Sequence, residues 1–167
     1  MLNNILRNFV VWVDGAGKMG DGDMAKLPDL SLVLEDYRGG GMDIAIEVDL
    51  GMEKLEAEFS LTAFDPQVIT LFGLSPGTRK AFTMRGHVAG EDGVTFGVAA
   101  YIRGRIKKIV HDNWEPGGKA KLTTSLAVDY YKLKHGDRTL VEIDPFNYVR
   151  SINGVDQLAA ARADLGF

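Results

Sequence analysis

Positions 42–50 alternate strictly. Met42, Ile44, Ile46, Val48 and Leu50 fall on one face, and Asp43, Ala45, Glu47 and Asp49 on the other. A period of two is the signature of a strand with one buried side. Gly51 interrupts the run, and 54–62 resumes it: Leu55, Ala57, Phe59 and Leu61 against Lys54, Glu56, Glu58, Ser60 and Thr62. Two such runs around a short glycine-containing turn predict an antiparallel hairpin over 42–62 with an acidic polar face.

The same period recurs downstream. Phe82, Met84 and Val88 alternate with Thr83, Arg85 and His87, and Glu91-Asp92-Gly93 supplies a turn. The return run alternates Val94, Phe96, Val98, Ala100, Ile102 and Ile106 with Thr95, Tyr101, Arg103, Arg105 and Lys107. A third hairpin is predicted through Leu122, Thr124, Leu126, Val128 and Tyr130, a turn at His135-Gly136-Asp137, and a return over 139–143. Residues 9–13 and 30–36 are two further β-rich stretches. Helix signals are few. Asp65-Pro66 is an N-cap followed by proline at the first helical position, leading into Gln67–Leu71 with Gly73 as a stop. Val155–Leu165 is rich in helix formers, with Asn153 as a cap and Gly166 placed as a C′ glycine. The fold class read from this pattern is mainly β with long hairpins and two short helices.

Composition narrows the function. The chain has 167 residues, enough for one domain over 1–167, and 46% of them are hydrophobic, as in a globular protein. A formal net charge of −4 argues against a protein that coats nucleic acid. There is no cysteine, so no thiolate metal site or cysteine nucleophile exists, and three scattered histidines form no zinc-type pair. No metal or cofactor is expected. The N-terminal apolar stretch is too short for an export signal, and no window reaches the ~18 apolar residues of a membrane span. Charge is uneven: 43–58 carries six acids and one base, whereas 103–121 carries six bases and two acids. These are either ordinary solvated strand faces or two surfaces of opposite sign meant for different neighbours.

Several motifs suggest chemistry and fail. Gly15-Ala-Gly-Lys-Met-Gly20 matches a dinucleotide fingerprint, but Asp21, Asp23 and Pro28 leave no room for the helix whose N-terminus would hold a pyrophosphate. Gly17-Lys18 lacks the rest of a phosphate loop. Asp21-Gly-Asp23 opens like a calcium loop, but Leu32 stands where the bidentate glutamate belongs. Glu56 and Glu58 share a face and could be drawn as a glycosidase pair, yet a solvated acidic strand accounts for them better. Nothing assembles a nucleophile, a base and oxyanion donors. The chain does not read as an enzyme.

A set of segments carries a family resemblance. These are Leu27-Pro-Asp-Leu30, Glu35-Asp-Tyr-Arg-Gly-Gly-Gly-Met42, Val48-Asp-Leu-Gly-Met52, Arg103-Gly104, Tyr130-Tyr-Lys-Leu133, Val141-Glu-Ile-Asp144 and Ile152-Asn-Gly-Val-Asp-Gln-Leu158. In order and spacing they resemble the major tail tube proteins of contractile-tailed phages and of phage-tail-like bacteriocins such as R-type pyocins. Only 14–26 departs, being more polar than the family's pattern. The resemblance implies a β-sandwich or half-open barrel of the tail-tube type and a structural role without chemistry. It also implies hexameric rings stacked into a hollow tube, a sheath outside, and baseplate and tail-terminator proteins at the ends. DNA would be transient cargo if the particle is a phage. The place implied is a virion tail or tail-like particle, assembled in the bacterial cytoplasm. A small monomeric or dimeric ligand-binding β-barrel is the alternative.

Three expectations follow from joining the resemblance to the pattern. Asp43, Glu47, Asp49, Glu56 and Glu58 are candidates for facing the lumen, where an acidic wall would let a duplex slide. Tyr37, Arg38, Gly39, Gly40, Gly41 and Met42 are a candidate inter-ring stacking loop, because ordering three glycines needs a contact to offset it. Both helices are expected at larger radius, with the 155–165 stripe of Val155, Leu158, Ala159 and Leu165 docked on a subunit.

Overall fold

The computed structural model describes residues 2–73 and 75–167. Strand β1 (Ile5–Val13) turns through Asp14 and Gly15 into the two-residue β2 (Ala16–Gly17), and β3 (Gly22–Lys26) follows. Asp14 and Gly15 both have positive φ, 48° and 83°, as a two-residue hairpin turn requires. The apparent dinucleotide fingerprint is therefore a β-hairpin. Next come β4 (Leu32–Tyr37), β5 (Ile46–Met52), β6 (Leu55–Leu61) and α1 (Pro66–Thr70). The second half contains β7 (Lys80–Ala89), β8 (Thr95–His111), β9 (Leu122–His135), β10 (Arg138–Asp144), β11 (Val149–Ile152), β12 (Val155–Asp156) and α2 (Ala159–Asp164).

One antiparallel sheet runs β12-β11-β10-β9-β8-β7-β1-β2, and β6 joins the lower half of β9 and carries β3. The long strands β8 and β9 serve both halves. Their register shifts between Arg103 and Gly104, where the sheet bends over itself. The chain thus curls as β3-β6-β9-β8-β7-β1. The Phe9 ring of β1 reaches Gly22 of β3, where a Cβ would meet it at 3.4 Å. This is the expected half-open barrel. Its interior is filled by Val11, Phe59, Phe82, Ile106, Leu126 and Tyr131, and α1 adds the fully buried Val68.

The β7–β8 and β9–β10 hairpins form as the alternation predicts. The 42–62 hairpin does not. β5 pairs with β4 as a separate two-stranded ribbon, whereas β6 pairs with β9 and β3. Gly51, at φ 118°, sits where the ribbon ends and the chain leaves it for the barrel. Alternation gives the face of a strand but not its partner, and β6 buries its apolar face only by joining β9.

The C-terminal helix is also shorter than predicted. Asn153 and Gly154 have φ of 54° and 79°, forming the tight turn between β11 and β12 and not a helix cap. α2 begins only at Ala159, and its N-cap position, Leu158, makes no side-chain capping bond. No residue of α2 is buried, and Val155 and Leu165 are 64% and 62% exposed, so of the expected apolar stripe only Leu158, half-buried just before the helix, meets its own subunit. Gly166 does end the helix as predicted. The Gly166 and Phe167 amides donate to the Ala163 and Arg162 carbonyls, closing a Schellman motif. Among the described residues no helix is long and apolar enough to cross a membrane.

Candidate functional site and assembly surfaces

The β4–β5 ribbon stands apart from the barrel. Every residue of β4 is exposed, as are the first five of β5. Directly opposed residues share a face, so Tyr37 with Ile46 and Glu35 with Val48 mark one side, and Asp36 with Glu47 and Leu34 with Asp49 the other. The first side is mostly apolar: Tyr37, Ile46 and Val48 are exposed on it, with Glu35 as its one acid. The second is acidic. The alternation is therefore real over 46–50, while 42–45 is turn and bend, and among the described residues nothing covers the ribbon's apolar face.

At the ribbon's tip, Tyr37–Met42 closes on itself. The Met42 amide donates to the Gly39 carbonyl, and Arg38 Nε donates to the Met42 carbonyl at 3.1 Å. Gly41 has φ 82°, a conformation that side chains resist. The candidate stacking loop is thus an ordered turn, with Tyr37 exposed and Met42 half-buried. At the ribbon's root, Asp49 accepts from Gly51 N and pairs with Arg150 of β11 at 3.1 Å. These bonds hold its carboxyl below the usual range, the Gly51 amide contributing most. A cleft of about 810 Å³ opens beside this pair, lined by Met52, Leu55, Ile143, Tyr148 and Leu158. It opens onto the edge of the core, since Leu55, Val128 and Ile143 line it and belong to the buried cluster.

The five candidate lumen carboxylates are not on one sheet. Glu47 and Asp49 belong to β5 of the ribbon, Asp43 to the bend before it, and Glu56 and Glu58 to the outward side of β6. Glu56 is bonded to Lys107 of β8 and to Lys54, and those bonds lower its pKa, Lys107 first. Glu58 lies opposite Ser125.

Two features escaped the sequence reading. Lys18, within the rejected phosphate-loop match, pairs with the buried Asp65 at 2.7 Å and donates to Gln67 Oε1 at 2.7 Å. Asp65 meanwhile accepts from the Gln67 and Val68 amides as the N-cap of α1, so this lysine fastens the helix to the first hairpin. The second feature is a basic, aromatic face on β7–β9, with Arg85 and Arg103 over the rings of Tyr101 and Tyr130. The polar half of the alternation contained these residues, but which strands lie side by side emerges only from the fold.

An apolar ribbon without a cover, an ordered turn at its tip and a packed barrel describe a part made to assemble. Comparison with known proteins agrees. Residues 3–166 match the family model described as phage tail tube protein FII. The tail tube protein of Escherichia phage P2 is 32% identical over 160 residues, covering 93% of each chain. The major tail tube protein of Serratia phage KSP20 is 31% identical over 151 residues, covering 89% of this chain and 87% of its own. Two cryo-EM structures of an extracellular contractile injection system, both in the extended state, share the fold at 12% identity. A chain of the PVC sheath–tube complex aligns with TM-score 0.57 over 76% of this chain and 88% of its own. A chain of the PVC sheath/tube terminator aligns with TM-score 0.58 over 76% and 93%. The chain belongs to the phage tail tube protein FII family, a family of structural proteins and not of enzymes.

Proposed function

We propose that copies of this chain close into hexameric rings, and that the rings stack into the inner tube of a contractile tail or tail-like particle. The observation that carries this reading is the β4–β5 ribbon. A two-stranded ribbon alone is at best marginal in water, and this one exposes Tyr37, Ile46, Val48 and Leu50 together. Another copy covering that face would bury it and order the ribbon. A sheath outside the tube and a terminator at its end fit the kind of particle in which the fold recurs. Assembly in the bacterial cytoplasm, and DNA as transient cargo where the particle is a phage, complete the proposal.

Within it, Tyr37–Met42 is the inter-ring stacking loop, because it lies at the tip of the projecting ribbon. The channel wall would draw on the carboxylates of both sheets, Glu56 and Glu58 from β6 and Glu47 and Asp49 from the ribbon, with Asp43 from the bend before β5. The test is assembly itself. Negative-stain microscopy of the purified chain should show rings or tubes, and monomers alone would reject the reading. Replacing Gly39, Gly40 and Gly41 with alanine should abolish tubes while leaving the subunit soluble, because Gly41 holds positive φ and a Cβ on Gly39 would press on the Tyr37 hydroxyl at 3.0 Å.

A further inference from the structure

The outward face of β7–β9 carries more positive charge than the described residues pair: four cations, with Glu142 of β10 beside them. Phe82, Met84, Ile102 and Tyr131 are buried beneath it, so the residues between them point away from the core. The register places Arg85, Ala99 and Lys134 in one row and Thr83, Tyr101 and Lys132 in the next. Arg103 stands opposite Tyr130 in a third. Arg85 lies 5.9 Å from the Tyr101 ring centroid and Arg103 lies 5.0 Å from that of Tyr130. A guanidinium over a ring keeps its N–H edge free to take a carboxylate. Among the described residues, Arg85, Arg103, Lys132 and Lys134 have no carboxylate within 4.0 Å. Glu142 stands across from Lys132 in the β9–β10 register, but it accepts from the Tyr130 hydroxyl at 3.3 Å and makes no ion pair with that lysine, so one carboxylate neighbours four cations.

The β4–β5 ribbon has the opposite imbalance. Asp36 stands directly across from Glu47. Like charges in that position weaken a strand pair. Neither has a cation within 4.0 Å among the described residues. A ribbon that is marginal on its own and carries this repulsion needs positive charge from outside the subunit.

We infer that the acidic face of one copy's ribbon docks on the Arg85–Lys134 face of the next copy, with Asp36 and Glu47 meeting its guanidinium and ammonium groups. Charge complementarity selects the occupant, since one chain supplies both unmatched surfaces. Size agrees as well. Seven residues of β5 at ~3.3 Å each span roughly 20 Å, enough to cross three strands spaced by about 4.8 Å. Because the two surfaces differ, the contact is head-to-tail and propagates from copy to copy. The inference rests on the tube reading and revises it at one point: Glu47 and Asp49, which share the ribbon face with Asp36, leave the channel wall for a subunit contact, and Glu56 and Glu58 remain there.

The experiment reverses each surface and then both. Asp36→Lys with Glu47→Lys, and separately Arg85→Glu with Lys132→Glu, should each raise the protein concentration at which polymer pellets by roughly tenfold or more. The combined fourfold variant should return to within a few-fold of wild type. Circular dichroism and thermal melts establish that each variant folds. If a reversal variant does not fold, Asp36→Asn with Glu47→Gln replaces it: wild-type assembly should weaken with added salt, and the neutral variant should lose most of that dependence. A wild-type chain that never assembles refutes the tube reading itself. Wild-type tubes together with unaffected reversal variants, or a fourfold variant no better than its parents, overturn the docking alone. Retention of a duplex DNA fragment by wild type but not by Arg85→Glu with Lys132→Glu, with assembly unchanged, would also overturn it and make the face a nucleic-acid surface.

Discussion

Gly104 permits the bend on which the barrel depends. It is buried in β8 at the register shift, and a Cβ there would lie 2.0 Å from the Ala127 carbonyl oxygen on β9. The strands approach too closely for any side chain, so Gly104→Ala should cost about 3 kcal/mol or more and lower the melting temperature sharply. A melt like that of wild type would mean that β9 yields. The Arg103-Gly104 pair was visible in the sequence as a motif, but its reason was not, because the clash is with backbone more than twenty positions away. Tyr131 gives a second test at this scale. It is 2% exposed, and burial pushes its phenol from 10.0 up to about 12. The folded state therefore favours the neutral phenol. Its contribution is complete below pH ~10 and is lost as the pH rises towards 12, by about 2–3 kcal/mol. Urea unfolding of Tyr131→Phe should show a shallower alkaline decline than wild type. Tyr130, also raised, chiefly by burial and then by Glu142, titrates in both proteins and cancels in the comparison.

Elements were legible where partners are adjacent in sequence and illegible where they are not. The β7–β8 and β9–β10 hairpins and the capped α1 followed from alternation, turn residues and Asp65-Pro66, all of them local signals. The partner of β5 is β4, across the eight-residue stretch 38–45, and the partner of β6 is β9, over sixty positions away; periodicity contains neither fact. The short β3 and β11 lack a run long enough to show a period. At Asn153-Gly154 two local rules competed, a helix cap and a tight hairpin turn, and the hairpin won because Ile152 and Val155 extend the sheet. What remains of the C-terminal helix is tied down mainly by polar contacts: Arg162 donates to the Tyr148 carbonyl at 3.1 Å and pairs with Asp156 at 2.7 Å, while the exposed Phe167 ring lies 6.1 Å from that of Tyr148. Partly exposed pairs of this kind each contribute about 0–1 kcal/mol. Truncation after Leu158 should therefore change the isolated subunit's stability by about 1 kcal/mol or less. A larger loss on denaturant unfolding would show that α2 packs on the barrel after all.

At the scale of the whole molecule, the subunit joins a packed barrel to a ribbon whose cover is missing. The two parts should differ in dynamics before assembly and converge after it. Strands β8 and β9 lie in the middle of the main sheet, with Ile102, Ile106, Leu126 and Tyr131 buried on them, so their amides open only with most of the fold. The ribbon's backbone bonds join two mostly exposed strands that pair with no third strand among the described residues, and only Met52 at its root packs on the core, so they open locally. Hydrogen exchange read by mass spectrometry should find 32–52 exchanging early in the dissociated subunit and 98–106 and 122–131 late. In assembled tubes the protection of 32–52 should rise by orders of magnitude, while that of the β8–β9 core changes little. This separates assembly that orders the ribbon from assembly that merely stacks preformed rings through other surfaces. Early exchange of the ribbon within intact tubes would place the subunit contacts elsewhere, and both the stacking loop and the ribbon docking would then have to be abandoned.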